Sequence, residues 1–346
     1  MGNQAQRILI CCILGACIGT VALADETRFS AASFSRGRAL AMGGAYHSVS
    51  DDFSAVWYNP GALRVNKTRV ERNARFFLNP VGMGLGFLDY SQYDRRMVPD
   101  DELTPEEGLL AVSHLFKGMV YTTPIVDFGL NLGEEILAEN PGYSENHRFF
   151  SIREQTFGSM YSLAANLKLA PTVSLGISGT LYYSRAGSKI TTGSGYTFGV
   201  LLNPNSRLNV GIVFHDIPDN MQEARFPLET IADGTVVGGI SYYPDEDTVL
   251  SIDLRNLNKD KLRSSREIHT GIERTIAGRL ALRAGYYRKK ETEHDVLSFG
   301  VGILPMWDRV TKYRNSARSD MITYTVVVDQ NGTRSTWHLF SFLLRY

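Results

Sequence analysis

The chain has 346 residues, and its 36 Lys+Arg are matched by 36 Asp+Glu, which excludes a basic footprint for nucleic acid. Aromatic residues make up 11% of it, including 17 Tyr, a bias that suits strands and membrane interfaces better than helical bundles. All three cysteines, Cys11, Cys12 and Cys17, lie in the N-terminal leader, so the chain after it has no disulfide and no cysteine–metal site.

That leader reads as an export signal. Arg7 is a positive n-region, Ile8–Val21 is an apolar stretch too short for a membrane span, and Ala22-Leu23-Ala24 is a cleavage site before Asp25. Residues 1–24 are therefore expected to be removed as a signal peptide. Leu14-Gly15-Ala16-Cys17 also fits a lipoprotein box, but apolar residues run on through Leu23 where a polar tether would follow. After Asp25 no run of 18 apolar residues occurs, which excludes a helical span and leaves periplasmic, secreted or transmembrane β-barrel proteins.

Residues 25–66 are compact and mixed. Ser35–Val49 is rich in small residues, and Asp51 and Asp52 precede Phe53, Ala55, Val56, Trp57, Tyr58 and an Asn59-Pro60-Gly61 turn. Such a segment before the first strand suits a barrel lumen, which is polar and in wider barrels is filled. The expectation is a plug or hatch, with Gly43 and Gly44 allowing close approach to the wall and Asp51 and Asp52 meeting lumenal arginines. A plain periplasmic extension is the alternative.

Residues 67–346 form the expected barrel. Thr68–Leu78 and Val81–Tyr90 read as a hairpin about Asn79-Pro80, and Gly82, Gly84 and Gly86 share one face. Thr104-Pro105-Glu106-Glu107 is a helix start. Leu109, Val112, Leu115, Phe116 and Met119 continue it as an apolar stripe, which places a helix near 104–117. Gly133–Glu139 reads as a second short helix. From residue 154 onward the theme is alternating strands and turns: Thr172–Arg185, Tyr196–Asn203, Arg207–His215, Gly234–Tyr243, Asp247–Arg255, Glu267–Thr275, Arg279–Arg288 and Asp295–Leu304. Strands of about 9–11 residues are what a tilted bilayer crossing needs.

The connections add a second rhythm. Ala170-Pro171, Asn203–Ser206, Pro244–Asp247 and Ala277-Gly278 are tight turns, whereas Ala186–Gly195, Asp216–Asp233 and Asn256–Arg266 are longer polar links. Alternating short and long connections are the asymmetry of outer-membrane barrels, with Pro305–Ser319 an exception. The chain ends on Tyr346, with Leu344, Phe342 and Phe340 on the same period-two face, a terminus like the one outer-membrane assembly machinery recognises. The fold expected is an all-β transmembrane antiparallel barrel of about 14 strands, within roughly 12 to 16.

Catalytic patterns are missing from the sequence. There is no G-x-S-x-G elbow, and His47, His114, His147, His215, His269, His294 and His338 show no H-E-x-x-H or paired metal spacing. Asp100-Asp101-Glu102 and Asp245-Glu246-Asp247 lie on loops and turns as solvated acidic clusters. Neither an enzyme nor a cofactor or metal site is expected.

Residues 37–63, GRALAMGGAYHSVSDDFSAVWYNPGAL, resemble the N-terminal signature of the FadL-like and PorV-like outer-membrane barrels of Gram-negative and related bacteria. The matching positions are Gly37, Met42, Gly43, Gly44, Ala45, Asp51, Asp52, Ala55, Asn59, Pro60 and Leu63, with Gly61-Ala62 where Ala-Gly is commoner. The resemblance implies a lumenal hatch and, on the FadL-like side, passage of hydrophobic molecules such as long-chain fatty acids from an outer apolar groove to a lumen site and out sideways. Leu109, Val112, Phe116 and Met119 are the groove candidates. On the PorV-like side it implies a docking component of a secretion or surface-attachment system. The expected partners are hydrophobic small molecules, outer-membrane lipid, the barrel-assembly machinery that reads Phe342, Leu344 and Tyr346, and, in the docking case, secretion-system proteins.

Overall fold

The computed structural model describes residues 26–30, 36–49, 52–63, 73–80, 115–136, 157–186, 189–216, 234–257, 266–289, 293–304, 322–330 and 335–345. The described chain opens with β1 (Glu26–Ser30), α1 (Gly37–Ala41), α2 (Ala55–Tyr58) and a 3-10 turn at Pro60–Ala62. The wall then begins with β2 (Asn73–Leu78), β3 (Phe116–Thr122), β4 (Val126–Ile136), β5 (Phe157–Ala170), β6 (Val173–Ala186), β7 (Lys189–Asn205) and β8 (Leu208–Asp216). It continues with β9 (Thr235–Tyr242), β10 (Thr248–Arg255), β11 (Glu267–Ile276), β12 (Leu280–Lys289), β13 (His294–Ile303), β14 (Ile322–Asp329), β15 (Ser335–Phe342) and β16 (Leu344–Arg345).

Each of β2 to β15 pairs antiparallel with its neighbours in sequence, giving fourteen consecutive wall strands in one sheet. Alternation along each strand decides which face looks where. Leu250, Ile252 and Leu254 of β10, Ile268 and Ile272 of β11 and Tyr286 of β12 are exposed. Between them Asp253, Arg255, His269, Glu273, Arg283 and Tyr287 are buried. Apolar outside and polar inside is the inverse of a soluble protein and is what a barrel in lipid requires.

The sheet's ends meet at one strand. β15 and β16 are separated by Leu343 alone. On one edge β15 pairs with β14, from Ile322↔Phe342 to Asp329↔Ser335. The C-terminal strand reaches β2 through Leu344↔Leu78 and Arg345↔Phe77. The ladder across this seam is thus two residue pairs long. Beside it β1 runs parallel to β15, from Glu26↔Ser335 to Ser30↔Leu339.

The tight connection expected at Asn203–Ser206 falls at Ser206-Arg207, because β7 runs on to Asn205, and the others lie where the sequence placed them. At Ala277-Gly278 both residues have positive φ (52° and 65°) and Arg279 N donates to Ile276 O at 3.1 Å, a type I′ turn whose twist matches its strands. Asp245, before β10, accepts from Asp247 N at 2.9 Å and Arg274 Nη1 at 2.8 Å. Desolvation pushes its carboxyl up, but hydrogen bonds from Thr248, Asp247 and Arg274 outweigh that and hold it below the ordinary carboxylate value.

Several expectations are corrected. The helix near 104–117 does not run on through Phe116 and Met119, which belong to β3; Leu115 is the last helical residue. A bulge explains the confusion: Phe77 pairs with Gly118 and Leu78 with Phe116, skipping Lys117. Two consecutive residues, Lys117 and Gly118, are buried, so the outward residues 116 and 119 fall three apart, as on a helix. Residues 133–136 are strand, not helix, since β4 pairs with β5 through Ile136↔Gly158 past a second irregularity at Asn131/Glu134. Pairing there overrides the helical preference of Glu134-Glu135. Of the hairpin expected about Asn79-Pro80, β2 pairs with β3 and Pro80 is helical, while the strand expected at Val81–Tyr90 lies outside the described residues. The long link at 186–195 is instead strand from Lys189, because β6 and β7 extend to the pair Ala186↔Lys189. The leader, 81–114, 137–139, Pro305–Ser319 and Tyr346 lie outside the described residues.

Candidate functional site inside the barrel

Every residue of 36–49 and 52–63 is buried. The local chemistry of the motif explains its shape. Gly43 and Gly44 have φ of 65° and 72°, and after α1 their N–H groups donate to Leu40 O and Ala39 O, closing the helix with a left-handed reversal. Asp52 Oδ1 accepts from Ser54 N at 2.9 Å and from Ser54 Oγ, fixing the turn into α2. Asn59 caps the 3-10 turn, accepting from Gly61 N at 2.9 Å, with Pro60 at its first position. Its Nδ2 donates to His47 O at 2.7 Å and Val200 O at 3.2 Å, tying both halves of the segment to β7.

The wall receives this segment on glycines. Ala41 lies on Gly300 of β13, Met42 and Gly43 on Gly285 of β12 and Gly271 of β11, Ser48 on Gly239 of β9 and His47 on Gly211 of β8. After a crossing to β3, where Phe53 lies on Gly118, the chain works back over Gly129 of β4, Gly176 of β6 and Gly199 of β7. A Cβ at Gly271 would sit 2.5 Å from Met42 O, one at Gly129 2.7 Å from Val56 Cγ2, and one at Gly61 2.7 Å from Gly199 O. The segment therefore seats only where these wall positions, and Gly61 of the segment itself, are bare.

Polar groups fill the rest of the contact with β8 and β10 to β12. Arg38 donates from Nε to Glu273 Oε2 at 2.7 Å and from Nη2 to Glu273 Oε1 at 2.8 Å, and Arg283 Nε donates to the same Oε2 at 2.7 Å. Asp52 Oδ2 accepts from Arg38 Nη1 at 3.3 Å and from Tyr46 Oη at 2.8 Å. The expected partnership is thus rearranged: Asp52 meets an arginine of its own segment, and that arginine meets a carboxylate of the wall. Arg255 Nη2 donates to Gly44 O at 2.6 Å, and His269 Nδ1 lies 2.6 Å from Gly43 O.

A run of hydrogen bonds crosses from wall to segment and back. Asp253 Oδ2 accepts from Tyr46 N at 2.7 Å, His47 N at 3.0 Å and His47 Nδ1 at 2.7 Å. His47 Nε2 lies 3.1 Å from His215 Nε2, and His215 Nδ1 lies 3.2 Å from Thr197 Oγ1. Among the described residues no three His, Cys, Asp or Glu side chains gather as metal ligands.

Near the seam the contact turns apolar. Phe53 stacks on Phe77 of β2 with centroids 4.4 Å apart. Val56, Leu63, Val120 and Leu201 complete the cluster, and Leu343, the residue between β15 and β16, packs against it.

Of the motif residues expected to act, Gly43, Gly44, Asp52, Asn59, Pro60 and Gly61 come together in the lumen, while Asp51 lies outside the described residues. Of the groove candidates, Phe116 and Met119 face outward on β3 beside the exposed Phe76, and Leu109 and Val112 lie outside the described residues. Phe342 and Leu344 flank Leu343 at the seam, half-buried. Sequence reading passed over the wall's glycines and its inner charges; both were signalled by Gly, Asp, Glu, Arg or His on the alternate face of otherwise apolar strands.

No family model and no curated protein matches the chain. Similar solved structures include the CymD monoaromatic hydrocarbon channel, at 9% identity over 87% of this chain and 94% of that one, with a TM-score of 0.47. The Pseudomonas putida toluene transporter TodX is 12% identical over 88% and 94% of the two chains, with a TM-score of 0.44. The Ralstonia pickettii toluene transporter TbuX is 11% identical over 86% and 93%, with a TM-score of 0.45.

Proposed function

We propose that the protein is a bacterial outer-membrane channel for hydrophobic, fatty-acid-like solutes, with residues 25–66 acting as its hatch. The observation that supports this above a docking role is that segment and wall jointly build apolar clusters in the lumen, Phe53, Val56, Leu63, Phe77, Val120 and Leu201 near the seam and Met42, Trp57, Met160 and Tyr182 away from it. A polar lumen serves water and ions. An apolar patch built jointly by segment and wall serves a molecule that must leave water on its way through. The segment moves aside as the solute passes, the leader ends at Ala24, and the Phe342–Tyr346 terminus delivers the chain to the assembly machinery.

Native mass spectrometry of the detergent-exchanged protein tests the reading. A stoichiometric apolar molecule is expected, lost when Phe53 and Val120 are replaced by Asn. A ligand-free barrel that carries a stoichiometric partner protein would instead establish docking.

A further inference from the structure

We infer that the Asp253–His47–His215–Thr197 run is a proton-operated latch that holds the N-terminal segment in the lumen at neutral pH and releases it on acidification. The inference deepens the hatch reading and rests on it. It begins from geometry: one residue of the segment, His47, is gripped between β10 and β8, with all four side chains buried.

The hydrogen bonds fix where the protons are. Asp253 is a carboxylate that can only accept, so His47 Nδ1 carries a proton. In neutral His47 the other nitrogen is then a lone pair, and the Nε2–Nε2 contact at 3.1 Å requires His215 Nε2 to be the donor. His215 Nδ1 is left as an acceptor, and Thr197 Oγ1 donates to it. One added proton is accommodated by reversing the run. His47 becomes an imidazolium against Asp253 and donates from Nε2, while His215 turns its remaining N–H toward Thr197. A second proton is not accommodated: both Nε2 atoms would carry hydrogens, facing one another across the bond.

The surroundings do not neutralise a second charge. From β10, Arg255 adds a cation beside Gly44, and Asp253 already serves His47. From β11, Glu267 Oε2 lies 3.2 Å from His269 Nε2, against another imidazole. Within the segment Tyr58 packs edge-on to the His47 ring at 5.5 Å. The facing positions of β7 and β9 are Thr197, Gly199, Gly239 and Ser241, none of them titratable. The seated segment therefore holds at most one proton on this pair, whereas a released segment lets both imidazoles take one. Below the ordinary imidazole range of about pH 6.5, release takes up protons and gains about tenfold per pH unit for each one.

The test reads exposure of the segment rather than transport, so it stands or falls separately from the solute assay. Full-length protein in lipid carries a reporter, Ser48→Cys, which is buried, and in a second version Glu246→Cys, which is exposed. Labelling by a methanethiosulfonate reagent is quantified at the peptide level by mass spectrometry. The ratio of Ser48→Cys to Glu246→Cys labelling is expected to rise about tenfold or more from pH 7.5 to 5.5. In His215→Gln, which keeps one donor and one acceptor but cannot take a charge, the ratio stays flat; His47→Gln gives the same readout if that variant does not fold. A ratio that ignores pH in the unaltered protein, or a pH response that persists in His215→Gln or His47→Gln, would overturn the latch.

Discussion

Arg38 in α1 and Glu273 in β11 meet through two hydrogen bonds, 2.7 Å and 2.8 Å long, between side chains that are 4% and 1% exposed. Arg283 shares the same carboxylate, so Glu273 offsets two buried guanidinium groups. Replacing it by Gln takes the Glu273 carboxylate from both, and the expected loss of stability is about 3–5 kcal/mol. Arg38→Met combined with Glu273→Leu should cost less than Glu273→Gln alone, because one guanidinium rather than two then loses the Glu273 carboxylate. Urea midpoints of the folded barrel in detergent check the order; a double variant worse than the single one would contradict it.

The glycine seats carry a sharper expectation. Gly271→Ala sets a Cβ against Met42 O, whereas Gly179→Ala, whose nearest neighbour is Tyr196 Cδ1 at 3.9 Å, meets nothing tight. Both are strand positions, so their backbone effects match. Limited proteolysis of the segment should accelerate in Gly271→Ala while the heat-modifiable barrel persists, and Gly179→Ala should match the parent in both.

Ala277 occupies the first central position of a type I′ turn at φ 52°. A residue with a Cβ pays about 1 kcal/mol there, and Asn tolerates the region better. Ala277→Asn is expected to raise stability by roughly 0.5–1 kcal/mol in denaturant unfolding. No gain would mean that the turn relaxes at no cost.

Asp245 lies in a turn, outside the membrane-spanning strands, and supplies the pH dependence. Its folded-state value is depressed, so its stabilisation is fully present above the ordinary carboxylate value of about 3.9 and fades as pH falls through the folded value. The side chain is half exposed, which limits the effect to a few tenths of a kcal/mol. Asp245→Asn should lower stability slightly at pH 7 and leave it unchanged at pH 2.5, read as the difference between two urea curves.

The strands of the second half were legible because each face has its own chemistry. Leu250, Ile252 and Leu254 against Ser251, Asp253 and Arg255 is a period-two pattern that survives any turn error. The first half was not legible where that period breaks. The bulge at Lys117 mimics helical spacing, and the irregularity at Asn131 hides the continuation of β4 toward Ile136. The segment's compactness could be read from Gly43, Gly44 and the Asn59-Pro60-Gly61 turn. Its partners could not, because Glu273, Asp253 and His215 are brought to it only by curling the sheet, across 235, 206 and 168 positions of sequence.

The segment touches Thr323 beside Gly37 on β14, and Phe53 stacks on Phe77 of β2. Those contacts fall on opposite banks of a joint whose own stitching is Leu344 to Leu78 and Arg345 to Phe77. The barrel is therefore cleated from within at the place where its staves are least fastened. A force that prises the joint also pulls on the cleat, and lifting the cleat slackens the joint, so the seating of the segment and the integrity of the hoop draw on the same mechanical reserve.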